Sequence, residues 1–524
     1  MSTHYDWIII GSGFGGSVSA LRLAEKGYKV LVIEKGRRFT KTDFPKTNWD
    51  LKRWMWMPSM GLKGIFQMSF MDHVTVLHGV GVGGGSLVYA NTLPTPTDHF
   101  FASPSWASLA DWKTELAPHY AEAKRMLGAA PNPLETEGDR ILAEIAKDIG
   151  RSEHHHPAEV AVFFGTPGET VKDPYFDGEG PDRTACDFCG ACMTGCRKGS
   201  KNTLDLNYLF LAERRGCEIL PETEVTNVTP RTSDGYAVST KESFGKGTKE
   251  FTADKVIFAG GVMGTVPLLL ELRSRNRSLP ALSQQLGKMV RTNSESLIAV
   301  VAPKTTKNFS KGVAITSILH TDEHSHVEPV RYGEGSSFFR TMAVPHEPLP
   351  TLAGRLAATA RGFVKNPLKW ARIYSTRDFA SKSQVLLYMR TLEGTLSLEL
   401  GRSALTGFRK ALVTTLDDPK EAPAAFIEEA TDIAKRFAAK MKGTPVSIVT
   451  ETLLGTPSTA HILGGCTMGA DASAGVIDSQ HRVFGYDGLY VIDGSAMSAN
   501  PGVNPSLTIT AMAERAMSLI PAKA

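Results

Sequence analysis

"YDWIIIGSGFGGSVSALRLAEKGYKVLVIEKGRR", Tyr5 to Arg38, reads as a strand, a tight turn, a helix and a second strand. Ile8, Ile9 and Ile10 form a continuous apolar run, the pattern of a strand covered on both faces. Gly11-x-Gly13-x-x-Gly16 follows, with Gly15 inside it, and a helix then carries Leu21 and Leu23 into the strand "KVLVIE". In such a unit the first glycine turns the chain, the second lets a pyrophosphate approach the backbone, and the third lets helix and strand pack closely. The phosphates rest on free N–H groups at the helix N-terminus. Glu34 lies 23 residues after Gly11, where an acid hydrogen-bonds ribose hydroxyls. Phe14 and Lys35 flank these groups and are assigned to the same site. The stretch predicts a Rossmann-type parallel α/β sheet with a dinucleotide site, without separating NAD from FAD.

Three later segments extend that sheet. "HGVGVGGGSLVYANTLPTP", from His78, holds Gly79, Gly83, Gly84 and Gly85 before Ser86 and Asn91; so little side chain suits a backbone lying directly against a flat ligand or phosphates. "KVIFAGGVMGTVPLLLEL" gives a buried strand, a turn at Gly260 and a helix, and the strand "ETEVTN" around Val225 is placed against the adenine. "GLYVIDGSAMSANPGVNPSLTITAMAERAMSLI" ends a strand at Asp493-Gly494. Asn504 as N-cap and Pro505 as first residue start a helix whose positive end faces the ligand.

In order, "GSGFGG", Glu34, "GVGGGSLVYANT", "FAGGVMGTVPLLL", "HILGGCTMG" and "LYVIDGSAMSANPGVNPSLTITAMAERA" resemble the motifs of the glucose–methanol–choline (GMC) flavoprotein oxidoreductases over nearly the whole chain, most closely the cholesterol-oxidase-like branch. The resemblance implies FAD, oxidation of CH–OH groups, and a substrate domain built on a mixed or antiparallel sheet flanked by helices. It divides the chain into an FAD-binding part (1–100, 201–290 and 456–524) and a substrate part (101–200 and 291–455). It also implies two catalytic residues: His461 of "STAHILGGCTMG", as base or hydroxyl-orienting group, and Asn504 of "GVNP" as its partner. A histidine titrates in the right range to take a hydroxyl proton while hydride leaves for the flavin. Tyr89 stands where many cholesterol oxidases carry asparagine, with Asn91 two positions on. Glu347 is a weak candidate for the glutamate that some of them use to move a steroid double bond, and isomerase activity does not follow.

"CDFCGACMTGC" holds Cys186, Cys189, Cys192 and Cys196, four of the six cysteines in eleven residues. The spacing matches a bacterial ferredoxin run without its closing proline. An iron–sulfur cluster, [4Fe–4S] or [3Fe–4S], is the leading expectation; zinc or reduced, redox-active thiols are the alternatives. A cluster would drain electrons to a carrier protein or quinone and make the enzyme a dehydrogenase; without one, a sterol oxidase using oxygen and releasing peroxide is the runner-up. A reductase of a ketone or enone, or an electron-relay flavoprotein, uses the same parts. Cys217 and Cys466 read as packing residues.

The net charge of +4 gives no ground for nucleic-acid binding. No apolar run reaches the roughly 18 residues a spanning helix requires, and "MSTHYDWIIIGSG" shows no export signal, so a cytoplasmic location is expected. His154–His156 read as a solvated loop. Two segments, Asn48–Met68 with three tryptophans and four methionines, and the basic stretch Pro348–Ile373 broken at Pro367, either close over a hydrophobic pocket, rest on the anionic inner face of a membrane, or cover the core. They favour a bulky apolar alcohol, sterol-like or alicyclic, over a sugar. Oligomeric state is not legible.

Overall fold

A computed structural model describes residues 3–524. The apolar run Ile8–Ile10 ends a central strand, His4–Ile10, its Ile8 opposite Leu31 on one side and Val256 on the other, both parallel. The parallel sheet runs Glu218–Leu220, Val30–Ile33, His4–Ile10, Thr248–Phe258, with Leu489–Val491 added beside the end of the last. Tyr236–Glu242 and Thr223–Pro230 continue it antiparallel. Its strands come from both ends and the middle of the chain, and the helix Phe14–Glu25 packs on the C-terminal helix Ser506–Ser518.

A second sheet is antiparallel throughout, in the order Ala343–Pro345, Thr444–Ile448, Ser296–Val301, Ser383–Arg390, Ser325–Val330, Ser317–His320, His155–Pro157. Side chains alternate faces along each strand. One face, with Ile298, Val300, Leu319 and Val327, meets helices Glu137–Asp148 and Glu428–Met441 through Leu142, Ile145, Ile433 and Phe437. The other, with Leu297, Ala299, Val330, Val385 and Leu387, is turned to the cavity described below. The fold is thus the expected α/β plus antiparallel-sheet architecture.

Two local expectations change, one segment divides between the alternatives left open for it, and the expected break at Pro367 is present. His155 and His156 belong to the outermost strand of the second sheet, not a solvated loop, because their backbone pairs with Ser317–Leu319. The C-terminal helix begins at Ser506 with Pro505 as its cap, and the Asn504 side chain is directed elsewhere. In Asn48–Met68, Trp54 stacks on Phe66 at 4.6 Å inside an apolar cluster with Phe39, Phe44 and Leu87, so part of that segment is core, while Trp49, Leu51, Met57 and Met60 are exposed. Pro367 splits the basic stretch into helices Leu352–Lys365 and Pro367–Ser375, proline being compatible with a first helical turn but not an interior.

Candidate active site

The two sheets enclose a cavity of about 860 Å³. At its nucleotide end the walls are backbone. Gly11 has φ +104°, and a Cβ there would stand 2.4 Å from the Ala259 carbonyl; one on Gly84 would stand 2.6 Å from the Gly13 Cα, and one on Gly15 1.8 Å from the Ile492 carbonyl. Four distant segments therefore meet with no room for side chains. Where Cβ atoms of Gly261 and Gly264 would stand there is open space within 4 Å. Such a cradle fits a flat dinucleotide, whose phosphates need close backbone N–H groups.

Gly11, Gly13, Phe14, Gly15, Glu34, Lys35, Gly79, Gly84, Gly85, Val225, Gly260, Asp493, Gly494, Asn504 and Pro505 all line the cavity, as does His461. Glu34 accepts hydrogen bonds from Ser12 N–H and Oγ at 3.1 and 2.8 Å and from Gly36 N–H at 2.8 Å, which fixes the turn while leaving lone pairs for a ribose. Asp493 ties two segments together by accepting from Gly261 N–H, Thr265 Oγ1 and Ser495. Burial pushes its carboxyl above the usual range despite the Ser495 and Thr265 hydrogen bonds.

Gly16, Gly83, Ser86 and Asn91 do not line the cavity. Gly16 packs against the Gly11 carbonyl, the helix–strand contact the motif requires. Gly83 and Ser86 make a turn closed by Ser86 Oγ donating to the Gly83 carbonyl at 2.6 Å. Asn91 is fully buried with φ 70° and neither amide atom paired. Tyr89 does reach the cavity; its ring meets Phe14 at 5.6 Å and its hydroxyl donates to the Asn202 carbonyl.

His461 and Asn504 stand at the junction of cradle and apolar chamber. The His461 Nδ1 is 2.7 Å from Oε2 of Glu295, which is fully buried and whose Oε1 accepts the Ala460 N–H at 2.6 Å. A carboxylate only accepts, so the ring proton sits on Nδ1 and Nε2 keeps a lone pair. Burial disfavours the charged imidazolium, but Glu295, through charge and hydrogen bond, and Glu328 outweigh it and raise the His461 pKa above its ordinary value. Asn504 Nδ2 lies 3.3 Å from Oε2 of Glu328. Behind Glu295, Glu451 is buried, and desolvation with the neighbouring Glu295 charge pushes its carboxyl up to about 8. Sequence reasoning missed all three glutamates. The available signal was an acid inside an apolar strand pattern, as in "HVEPV". Glu347, by contrast, is half-buried and not on the cavity wall.

The cysteine run gives no support to the expected iron–sulfur cluster. All six cysteines are free, and among the described residues no group of three or more His, Cys, Asp or Glu side chains is placed to hold a metal ion. Cys186 is packed in an apolar cluster with Val162, Ile315 and Met389, and Cys189 pairs by backbone with Gly312. Burial is the largest influence on Cys186, Cys189 and Cys192 and raises all three thiols, that of Cys189 to about 12; metal ligation needs the thiolate. The nearby Lys201 ammonium is occupied by the carbonyls of Leu87 and Cys192.

Comparison with known proteins agrees with this geometry. Residues 178–280 and 393–513 match the two GMC oxidoreductase family models, and residues 9–42 match an NAD(P)-binding Rossmann-like domain. A cholesterol oxidase of Acinetobacter baumannii is 43% identical over 99% of this chain and 95% of its own length. A cholesterol oxidase of Mycobacterium tuberculosis is 44% identical over 100% of this chain and 92% of its own. Among solved structures, pyridoxine 4-oxidase from Mesorbium loti superimposes with a TM-score of 0.62 at 16% identity, over 98% of both chains, a likeness of fold alone.

Proposed function

This chain belongs to the GMC oxidoreductase family and is an FAD-dependent oxidoreductase acting on CH–OH donors; from that premise we propose that it oxidises a secondary alcohol on a bulky, apolar, sterol-like or alicyclic substrate to the ketone, with His461 as base and dioxygen as acceptor. The observation that carries the reading is His461, held by Glu295, at the rim of a chamber walled by Leu297, Val385, Leu387, Val446 and Phe339. When bound, FAD supplies the acceptor for two electrons. The chain supplies the rest. Glu295 fixes the His461 tautomer, so that Nε2 receives the hydroxyl proton. Asn504 orients the hydroxyl oxygen by donating to it the Nδ2–H that is not directed at Glu328. The apolar walls exclude water and match four fused or alicyclic rings better than a sugar.

No electron step is assigned to the cysteines, because burial raises the Cys186, Cys189 and Cys192 thiols and favours their protonated form, and dioxygen is then the acceptor. The similarity to cholesterol oxidases points the same way. Among the described residues no helix is long and apolar enough to cross a membrane. Helices Leu352–Lys365 and Pro367–Ser375 hold no acidic residue and expose Leu352, Leu356, Val364 and Leu368 beside Arg361, Lys365 and Lys369, a composition suited to resting on anionic lipid from which such a substrate is drawn.

The test is anaerobic bleaching of the purified holoenzyme against hydroxysteroids, terpenols and sugars, followed by peroxide measurement in air. Bleaching by a sterol that His461→Ala abolishes, with one peroxide per ketone, is expected. Bleaching by sugars alone, or by sterols unchanged in His461→Ala, overturns the reading.

A further inference from the structure

The antiparallel sheet carries a file of titratable side chains from solvent to Asn504. His156 is exposed, His320 half-buried, His326 2% exposed and Glu328 fully buried. Register places His156 opposite Ile318 and His320 opposite His326. With alternate residues on alternate faces, the three histidines share the face that Glu328 and Val330 turn to the cavity. Ring centroids are 5.7 Å apart from His156 to His320 and 5.4 Å from His320 to His326. His326 Nε2 is 3.4 Å from Glu328 Oε1, and Glu328 Oε2 is 3.3 Å from Asn504 Nδ2. His326 Nε2, Glu328 Oε1 and Asn504 Oδ1 are each buried without a hydrogen-bond partner. Packing alone would fill these positions with apolar residues, since orphaned buried polar atoms are costly.

We propose that Glu328, His326, His320 and His156 form a proton relay between the catalytic hydroxyl site and solvent. It rests on the oxidation reading above. In that reaction the C–H bond breaks and its hydrogen leaves with both electrons to the cofactor. The O–H electrons form the carbonyl π bond, and the hydroxyl proton is left on His461. One proton is therefore in surplus until the acceptor is reduced, and Glu328, near enough to favour protonated His461, is the first group to receive it. Burial, then the charges of His326 and His156, lower His320 to about 4. A neutral imidazole, one nitrogen donating and one accepting, passes a proton by exchanging tautomers. The other charged groups near the file are Arg151, whose Nε donates to the His320 carbonyl at 3.2 Å, and His154; Arg390, opposite Ser325, lies on the other face of the sheet beside Glu429. Met389 and Leu387, opposite His326 and Glu328, are apolar and insulate it.

The relay is tested by stopped flow in weak buffer with a pH-indicator dye, mixing oxidised holoenzyme anaerobically with the alcohol that bleaches it. In the wild type one proton appears in the same phase as bleaching. In His326→Gln full bleaching is retained while proton appearance lags by about a hundredfold or more, the low end of what a lost proton-transfer group costs. In His156→Gln, an exposed change that leaves folding intact, a smaller lag is removed by added imidazole. Proton release in phase with bleaching in both variants overturns the relay. If no alcohol bleaches the wild type, the oxidation reading falls instead. The relay is then judged on photoreduced enzyme mixed with oxygenated buffer, where proton uptake must lag in the same two variants.

Discussion

Replacing Glu295 by glutamine isolates the group that sets the protonation of His461. The two side chains meet at 2.7 Å with Glu295 fully buried. For charge centres about 4 Å apart, an effective dielectric near 20 gives about 4 kcal/mol. At about 1.4 kcal/mol per unit this is an upper bound of about 3 units on the fall in the His461 pKa, so about 1–3 is expected. The sign follows from the raised value in the native enzyme: His461 accepts a proton only when neutral, so kcat/KM climbs with pH through its pKa, and Glu295→Gln must move that climb to lower pH. The rate falls even so. An amide has one acceptor for two donors, Ala460 N–H and His461 Nδ1–H. Its NH₂ turned toward the ring reverses the tautomer and occupies the wrong nitrogen, a fault that costs about 10²–10⁴ in kcat. Steady-state pH profiles under constant oxygen read both effects. A limb that stays in place or moves upward, or a kcat within a few-fold of wild type, refutes the assignment of Glu295 to His461.

Asn504→Ala removes the partner of the substrate hydroxyl and leaves Glu328 without its amide contact; kcat is expected to fall about 10²–10³-fold, as for loss of one aligned hydrogen-bonding group, with bound flavin content unchanged in the visible spectrum. Glu451, protonated in the native state up to about pH 8, binds more protons folded than unfolded between about pH 4.5 and 8, so the wild type loses stability as pH rises through that window, at most about 1.4 kcal/mol per unit from this group. Glu451→Gln removes that slope, and urea unfolding at pH 5 and 8 should show the variant gaining on the wild type only at the higher pH. Reversing Arg361, Lys365 and Lys369 to glutamate is expected to weaken cosedimentation with anionic vesicles by roughly 1 kcal/mol per charge, as removal of a surface cation does, while turnover of a detergent-dispersed substrate is preserved.

The nucleotide half was legible because its requirements are local. Ile8–Ile10, the glycines from Gly11 to Gly16 and Glu34 lie within one strand–turn–helix–strand unit, and steric demands that only glycine meets are written in sequence. His461 and Asn504 were legible by resemblance, through short motifs that keep their order. Glu295 and Glu328 were not: they meet His461 and Asn504 only because the antiparallel sheet folds Ser296–Val301 and Ser325–Val330 against segments more than a hundred residues away. The cysteine run shows the converse. Its spacing permits a metal site, but burial is decided by the fold, and Cys186 is packed in the apolar face of the second sheet. Sequence by itself determined the cofactor cradle, because backbone sterics act between near neighbours; tertiary structure alone decided which carboxylates meet the imidazole, because long-range pairing and burial set where a charge is kept.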